Sequence, residues 1–164
     1  MKQVHVECKP DELLVSKLGF TKKYVTHHQG KSRVIQKLSK SESLLAMVDE
    51  DPGSSKTSYE KSLKFIKEKH GIKYFSDKKE NKVFILTGKL EDWILNACTL
   101  QKIDPVEFGL PANPNKLHDI LNHRLDKFEK LTDELIRKFF SGLFSPGSYM
   151  LGCSGDRWCG FIIP

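Results

Sequence analysis

The stretch S-L-L-A-M-V-D-E-D-P-G-S-S (43–55) runs through apolar residues, stops in Asp49, Glu50 and Asp51, and turns at Pro52-Gly53. A short apolar run bounded by turn residues reads as a strand covered on both faces, as in a parallel sheet. Its end is the informative part. Clustered negative charge at a strand terminus adds nothing to stability and suits the binding of a cation.

Outward from this strand the pattern alternates. V-H-V-E (4–7) is a β-branched run, and 11–20 places Leu13, Leu14 and Leu18 on one helical face before Gly19 as a C-cap. K-Y-V-T-H-H (23–28) repeats the strand signal, and 31–40 repeats the helix through Val34, Ile35 and Leu38. Beyond the Pro-Gly turn, T-S-Y-E-K-S-L-K-F-I-K-E-K-H-G (57–71) predicts a helix. Thr57 or Ser58 caps it, Tyr59, Leu63 and Ile66 form its stripe, and Gly71 ends it. Strand runs follow at 72–75 and 82–87. Strands alternating with helices predict an α/β fold, with a mainly parallel sheet of about four strands, right-handed crossovers and helices on its faces.

From Leu90 the chain turns helical: 90–101, a Pro-rich connection at 104–115, then 116–131 and 132–144. The organisation expected is an α/β domain over 1–102, a C-terminal helical extension over 103–144 packed on it, and an irregular tail over 145–164. Phe139, Phe140, Leu143 and Phe144 make an apolar end that suits a homodimer.

Composition narrows the class. A chain of 164 residues with 38% hydrophobic and 29% charged content fits one globular domain, neither disordered nor built around membrane spans. No apolar run approaches the roughly 20 residues that cross a bilayer, and the N-terminus lacks a signal-peptide pattern, so a cytoplasmic protein without membrane contact is expected. The four cysteines form no C-x-x-C pair and read as reduced thiols. A net charge of +6 suits a polyanionic partner such as nucleic acid.

In open α/β sheets ligands gather beyond the carboxyl ends of the strands, where Glu7, Asp49 and Asp51 fall. Mg²⁺ or Mn²⁺ takes hard carboxylate oxygens and keeps several waters, so two or three acids suffice when a phosphate supplies the rest. Acids after a strand also serve as helix caps or loop charges, and D-x-D alone leaves both readings open. His27 and His28 lie near the same end, but adjacent strand residues face opposite ways, so at most one points at the acids. His118 and His123 are expected at the surface, and Trp93 in the core. The lysines at 22–23, 37, 40 and 67–70 form a binding surface only if the fold gathers them.

Taken together, V-E-C-K-P-D (6–11), D-E-D (49–51), G-K-S (30–32) and G-K-L-E-D (88–92) resemble the Toprim domain over residues 2–95, nearest to its overcoming-lysogenisation-defect nuclease branch. The resemblance implies that Glu7, Asp49 and Asp51 hold Mg²⁺ or Mn²⁺, with Asp11 and Glu91 as further ligands. It makes Lys31 a phosphate contact of the catalytic set, and Lys9, Lys31 and Arg33 candidate contacts to nucleic acid. The activity implied is metal-dependent phosphodiester hydrolysis of DNA or RNA, in bacterial defence or DNA processing, and the partner implied is an ATPase. Cys8 stands where that family usually carries glycine, which favours one alternative, a Toprim-like module that binds nucleic acid or a protein without cleaving. A second alternative is an acid phosphatase of the haloacid-dehalogenase type, with Asp49 as nucleophile and Asp51 as general acid.

Overall fold

The computed structural model describes residues 3–121 and 123–143. The irregular tail predicted at 145–164, with Cys153, Cys159 and Phe144, lies outside the described residues. Strands β1 (Val4–Val6), β2 (Val25–His27), β3 (Leu45–Asp49), β4 (Lys64–Lys69), β5 (Ile72–Ser76) and β6 (Lys82–Leu86) form one sheet in the order β2-β1-β3-β6-β5-β4. β1, β2, β3 and β6 run parallel, while β5 is antiparallel to β6 and β4 to β5. The fold is α/β as expected, but its sheet is mixed and has six strands rather than about four.

The one strand beyond the five runs seen in the sequence, β4, comes from the segment read as a long helix. Thr57 does cap a helix, α3 (Ser58–Ser62): its hydroxyl accepts the Glu60 N–H at 3.2 Å, and its own N–H reaches the Glu60 carboxylate at 2.9 Å. The helix stops there. β4 and β5 then form a hairpin in which Lys69 pairs with Ile72 across His70-Gly71, both with positive φ (52° and 70°). Such a two-residue turn favours glycine as strongly as a helix C-cap does. Gly71, expected to end a helix, instead sits in this hairpin turn.

β3 is central, between β1 and β6, and its alternation explains the unbroken apolar run. Leu45 and Met47 enter the larger core with Val6, Leu14, Trp93 and Phe128, whereas Ala46 and Val48 enter a smaller one with Val34, Ile35 and Leu38. The smaller core lies beneath α2 (Lys31–Ser39). The larger is covered by α1 (Lys9–Lys17), α4 (Leu90–Gln101), α5 (Pro114–Leu121) and α6 (Leu125–Leu143). Among the described residues no helix is long and apolar enough to cross a membrane.

The last helices divide differently from the expectation of 116–131 and 132–144. Asn113 caps α5 by accepting the Lys116 N–H at 3.1 Å, the chain breaks after Leu121, and Arg124 O accepts from Lys127 and Phe128 to start α6. Thr132, the first residue of the helix expected over 132–144, is buried inside α6 with its hydroxyl donating to Phe128 O at 2.8 Å.

The chain leaves β1 through α1 to β2 on one side and returns through α2 to β3 on the other. The carboxyl ends of β1 and β3 thus form a topological switch point, the usual crevice of such sheets.

Candidate metal and phosphate site

Glu7 follows β1 and Asp49 ends β3, adjacent strands in register, so the sheet itself brings their carboxylates together. Glu7 Oε1 accepts the Asp49 N–H at 2.7 Å. Behind them, Cys8 in extended conformation starts α1. Asp11, three residues on, accepts the Cys8 N–H and thiol, each at 3.0 Å. Pro10 in the first turn needs no N–H partner and fixes the helix entry. Asp11 is only 2% exposed, so it lies beneath Glu7 and Asp49 as a buried charge rather than at the surface of the site.

On the other wall, Gly30 caps α2 with φ 125°, a conformation open to glycine, and its N–H donates to Glu7 O at 3.1 Å. Lys31, the next residue, donates from Nζ to Asp49 O at 2.7 Å and lies 3.6 Å from Asp51 Oδ2 and 3.8 Å from Glu60 Oε1. G-K-S therefore carries its ammonium into the acids. Arg33, two residues on, is exposed and donates to Gln29 at 3.0 Å. Lys9 is exposed on α1 and lines a different cleft with His27 and Glu129.

The electrostatics are unbalanced. Burial, opposed by the Asp49 N–H but reinforced by the charges of Asp11 and Asp51, pushes the Glu7 carboxyl up to about 7. Asp49 is raised to about 7 by burial and the Glu7 charge, although the Leu90 N–H at the start of α4 pulls the other way. Asp11 is likewise raised to about 7 by burial and Asp49. Lys31 offsets only part of this repulsion. Asp49 Oδ1 is buried without a hydrogen-bond partner, and an orphaned acceptor of this kind normally finds water or an ion.

Glu91, in the first turn of α4, is buried and adds to the field on Asp49 and Asp11. Its Oε1 lies 2.7 Å from His118 Nδ1 on α5. His118 is 58% exposed at its side chain, as a surface residue should be, yet it is tied to this acid across 27 positions of sequence. No spacing signal foretells that contact. His27 binds Glu12 at 3.0 Å and His28 binds His5 at 2.7 Å, so neither is hydrogen-bonded to the strand-end acids. Trp93 is buried and donates to His70 O at 2.9 Å.

No protein-family model, curated protein or solved structure matches this chain.

The donor chemistry fits a hard divalent cation: carboxylate oxygens in mutual repulsion, one of them orphaned, at a switch point. As the side chains stand, no three His, Cys, Asp or Glu among the described residues converge closely enough to ligate an ion together. Glu7 Oε1 is engaged by the Asp49 N–H and Asp51 leans towards Lys31, so binding requires these two side chains to turn inward.

Proposed function

We propose that the chain is a Toprim-type, Mg²⁺- or Mn²⁺-dependent nuclease whose metal is held by Glu7, Asp49 and Asp51. The observation that carries this reading is the orphaned Asp49 Oδ1 set among buried like charges, since an arrangement that raises three carboxyls to about 7 lowers stability and is relieved by a cation. When bound, such an ion polarises a phosphoryl oxygen and lowers the pKa of its water. Glu7 and Asp49 come from adjacent strand ends, and Asp51 closes the site from the turn beyond β3. Asp11 and Glu91 stand behind them as buried charges that favour the cation without touching substrate. Lys31, fixed by the Asp49 carbonyl, offsets negative charge that builds on the phosphate. Arg33 and Lys9, further out, contribute to attraction of the nucleic-acid backbone.

Cys8 favours a second reading, a binding module that cleaves nothing. Its thiol donates to Asp11, and burial with the Asp11 charge keeps it protonated, so a bulky neutral group stands where the Toprim pattern has glycine. The two readings separate on one experiment: incubation with plasmid, single-stranded DNA and RNA in Mg²⁺ or Mn²⁺, beside Glu7→Gln. Cleavage by the parent and loss in the variant is expected. Nucleic-acid binding without cleavage in either would replace the nuclease with the module, and hydrolysis of an aryl phosphate alone would replace it with the phosphatase.

A further inference from the structure

Beyond the acids, the sheet continues into a cleft of ≈ 480 Å³ reached from the Lys31 and Asp51 side. Its far wall is aromatic. Phe65 on β4 pairs across the ladder with Phe75 on β5, the rings meeting edge-on at 5.4 Å and 70°. Phe75 packs on the smaller core, but Phe65 is 53% exposed, on a strand whose neighbours Lys64, Lys67 and Lys69 already protect the sheet edge from pairing. An exposed ring over a cleft contributes little to folding. It is placed to stack.

The charges at the cleft name the occupant. Lys31, Lys56 and Lys73 line it together with Glu50, Asp51 and Glu60, so its formal charges balance. Glu50 is bound by Lys73, and Glu60 is engaged in capping Thr57. A cation at Asp51 therefore tips the cleft towards an anion, and the aromatic wall demands that the anion carry a flat ring. We propose that this cleft seats an unpaired nucleotide of the substrate strand, its base on Phe65 and its phosphate towards Lys31 and the strand-end acids. The proposal rests on the nuclease reading and extends it: substrate must enter with at least one base out of the stack.

The test measures binding rather than cleavage. Labelled oligothymidylate and oligouridylate with phosphorothioate linkages are titrated in Mg²⁺ into the full chain, Phe65→Leu, Phe65→Tyr and Lys56→Ala, beside a duplex of the same length. Since stacking on an aromatic ring tolerates any base and is lost with the ring, Phe65→Leu is expected to weaken single-strand binding about five-fold or more, and Phe65→Tyr to leave it within about two-fold. Lys56→Ala is expected to weaken it with a shallower salt dependence. Equal affinity of Phe65→Leu and the parent overturns the inference, whatever Glu7→Gln does to cleavage. Duplex cleavage that depends on Glu7, without single-strand binding, overturns it while leaving the nuclease in place. Absence of binding, cleavage and Mg²⁺ uptake together overturns both.

Discussion

At the ends of β1 and β3, Glu7, Asp11 and Asp49 are buried against one another with Lys31 beside them, whereas the next residue, Glu50, pairs with Lys73 on β5, a partly exposed contact that holds its carboxyl below the usual range. Both clusters lie at the same edge of one sheet. Glu50 is paired by a lysine of the hairpin as an ordinary surface charge is, while its neighbours at the switch point accumulate one sign out of water. Burial without pairing destabilises, and this difference is the ground for placing the proposed site at the switch point rather than at the Glu50–Lys73 pair.

The two clusters should differ most in their effect on activity. Asp49→Asn keeps shape and volume but removes one charge, and it is expected to reduce Mn²⁺-dependent cleavage by about 100-fold or more, as loss of a group acting on the reacting phosphate does elsewhere. Lys73→Met, on the hairpin, should leave the chemical step unchanged when assayed at saturating substrate.

Stability should move the opposite way. Relief of repulsion makes metal-free Asp49→Asn more stable than the parent by about 1–3 kcal/mol near pH 8, read by denaturant titration in EDTA. Loss of stability instead would mean that Asp49 is structurally paired. Lys73→Met, a surface pair, is expected to shift stability by less than about 1 kcal/mol.

The sign of the pH dependence follows from the same groups. Glu7, Asp11 and Asp49 titrate near 7 when folded and near 4 when unfolded, so the folded state holds extra protons in that window. The stability they give is complete below about pH 4 and is lost as pH rises through about 7. His5 opposes this lower down: burial, then His28, depresses it to about 4, so its contribution is present above its unfolded value and is lost as pH falls. From about pH 6.5 to 8 the carboxyls act without that opposition, and the metal-free melting temperature should fall, more shallowly in Asp49→Asn.

How much of this the sequence discloses depends on whether a signal is local. β1, β3, α2 and α4 follow from periodicity, and the meeting of Glu7 with Asp49 follows once the strands are parallel neighbours. The β4–β5 hairpin was hidden because Tyr59, Leu63 and Ile66 keep helical spacing, although only Tyr59 and Leu63 pack against core and Ile66 is 43% exposed. The break before α6 has no proline or glycine to mark it; it lets Leu121 and Phe128 reach one core from two helix axes. His118 on Glu91 and Phe65 over its cleft are products of tertiary placement, and a single sequence carries no trace of either.

The acids at the ends of β1 and β3 are proposed to bind a divalent cation. The most direct test is calorimetric titration of Mn²⁺ into the chain and into Glu7→Gln near pH 7.5, with melting temperatures taken at each end. Saturable binding that raises the melting temperature of the parent, and is lost in Glu7→Gln, is predicted. Absence of binding in the parent, or equal binding in the variant, would contradict it.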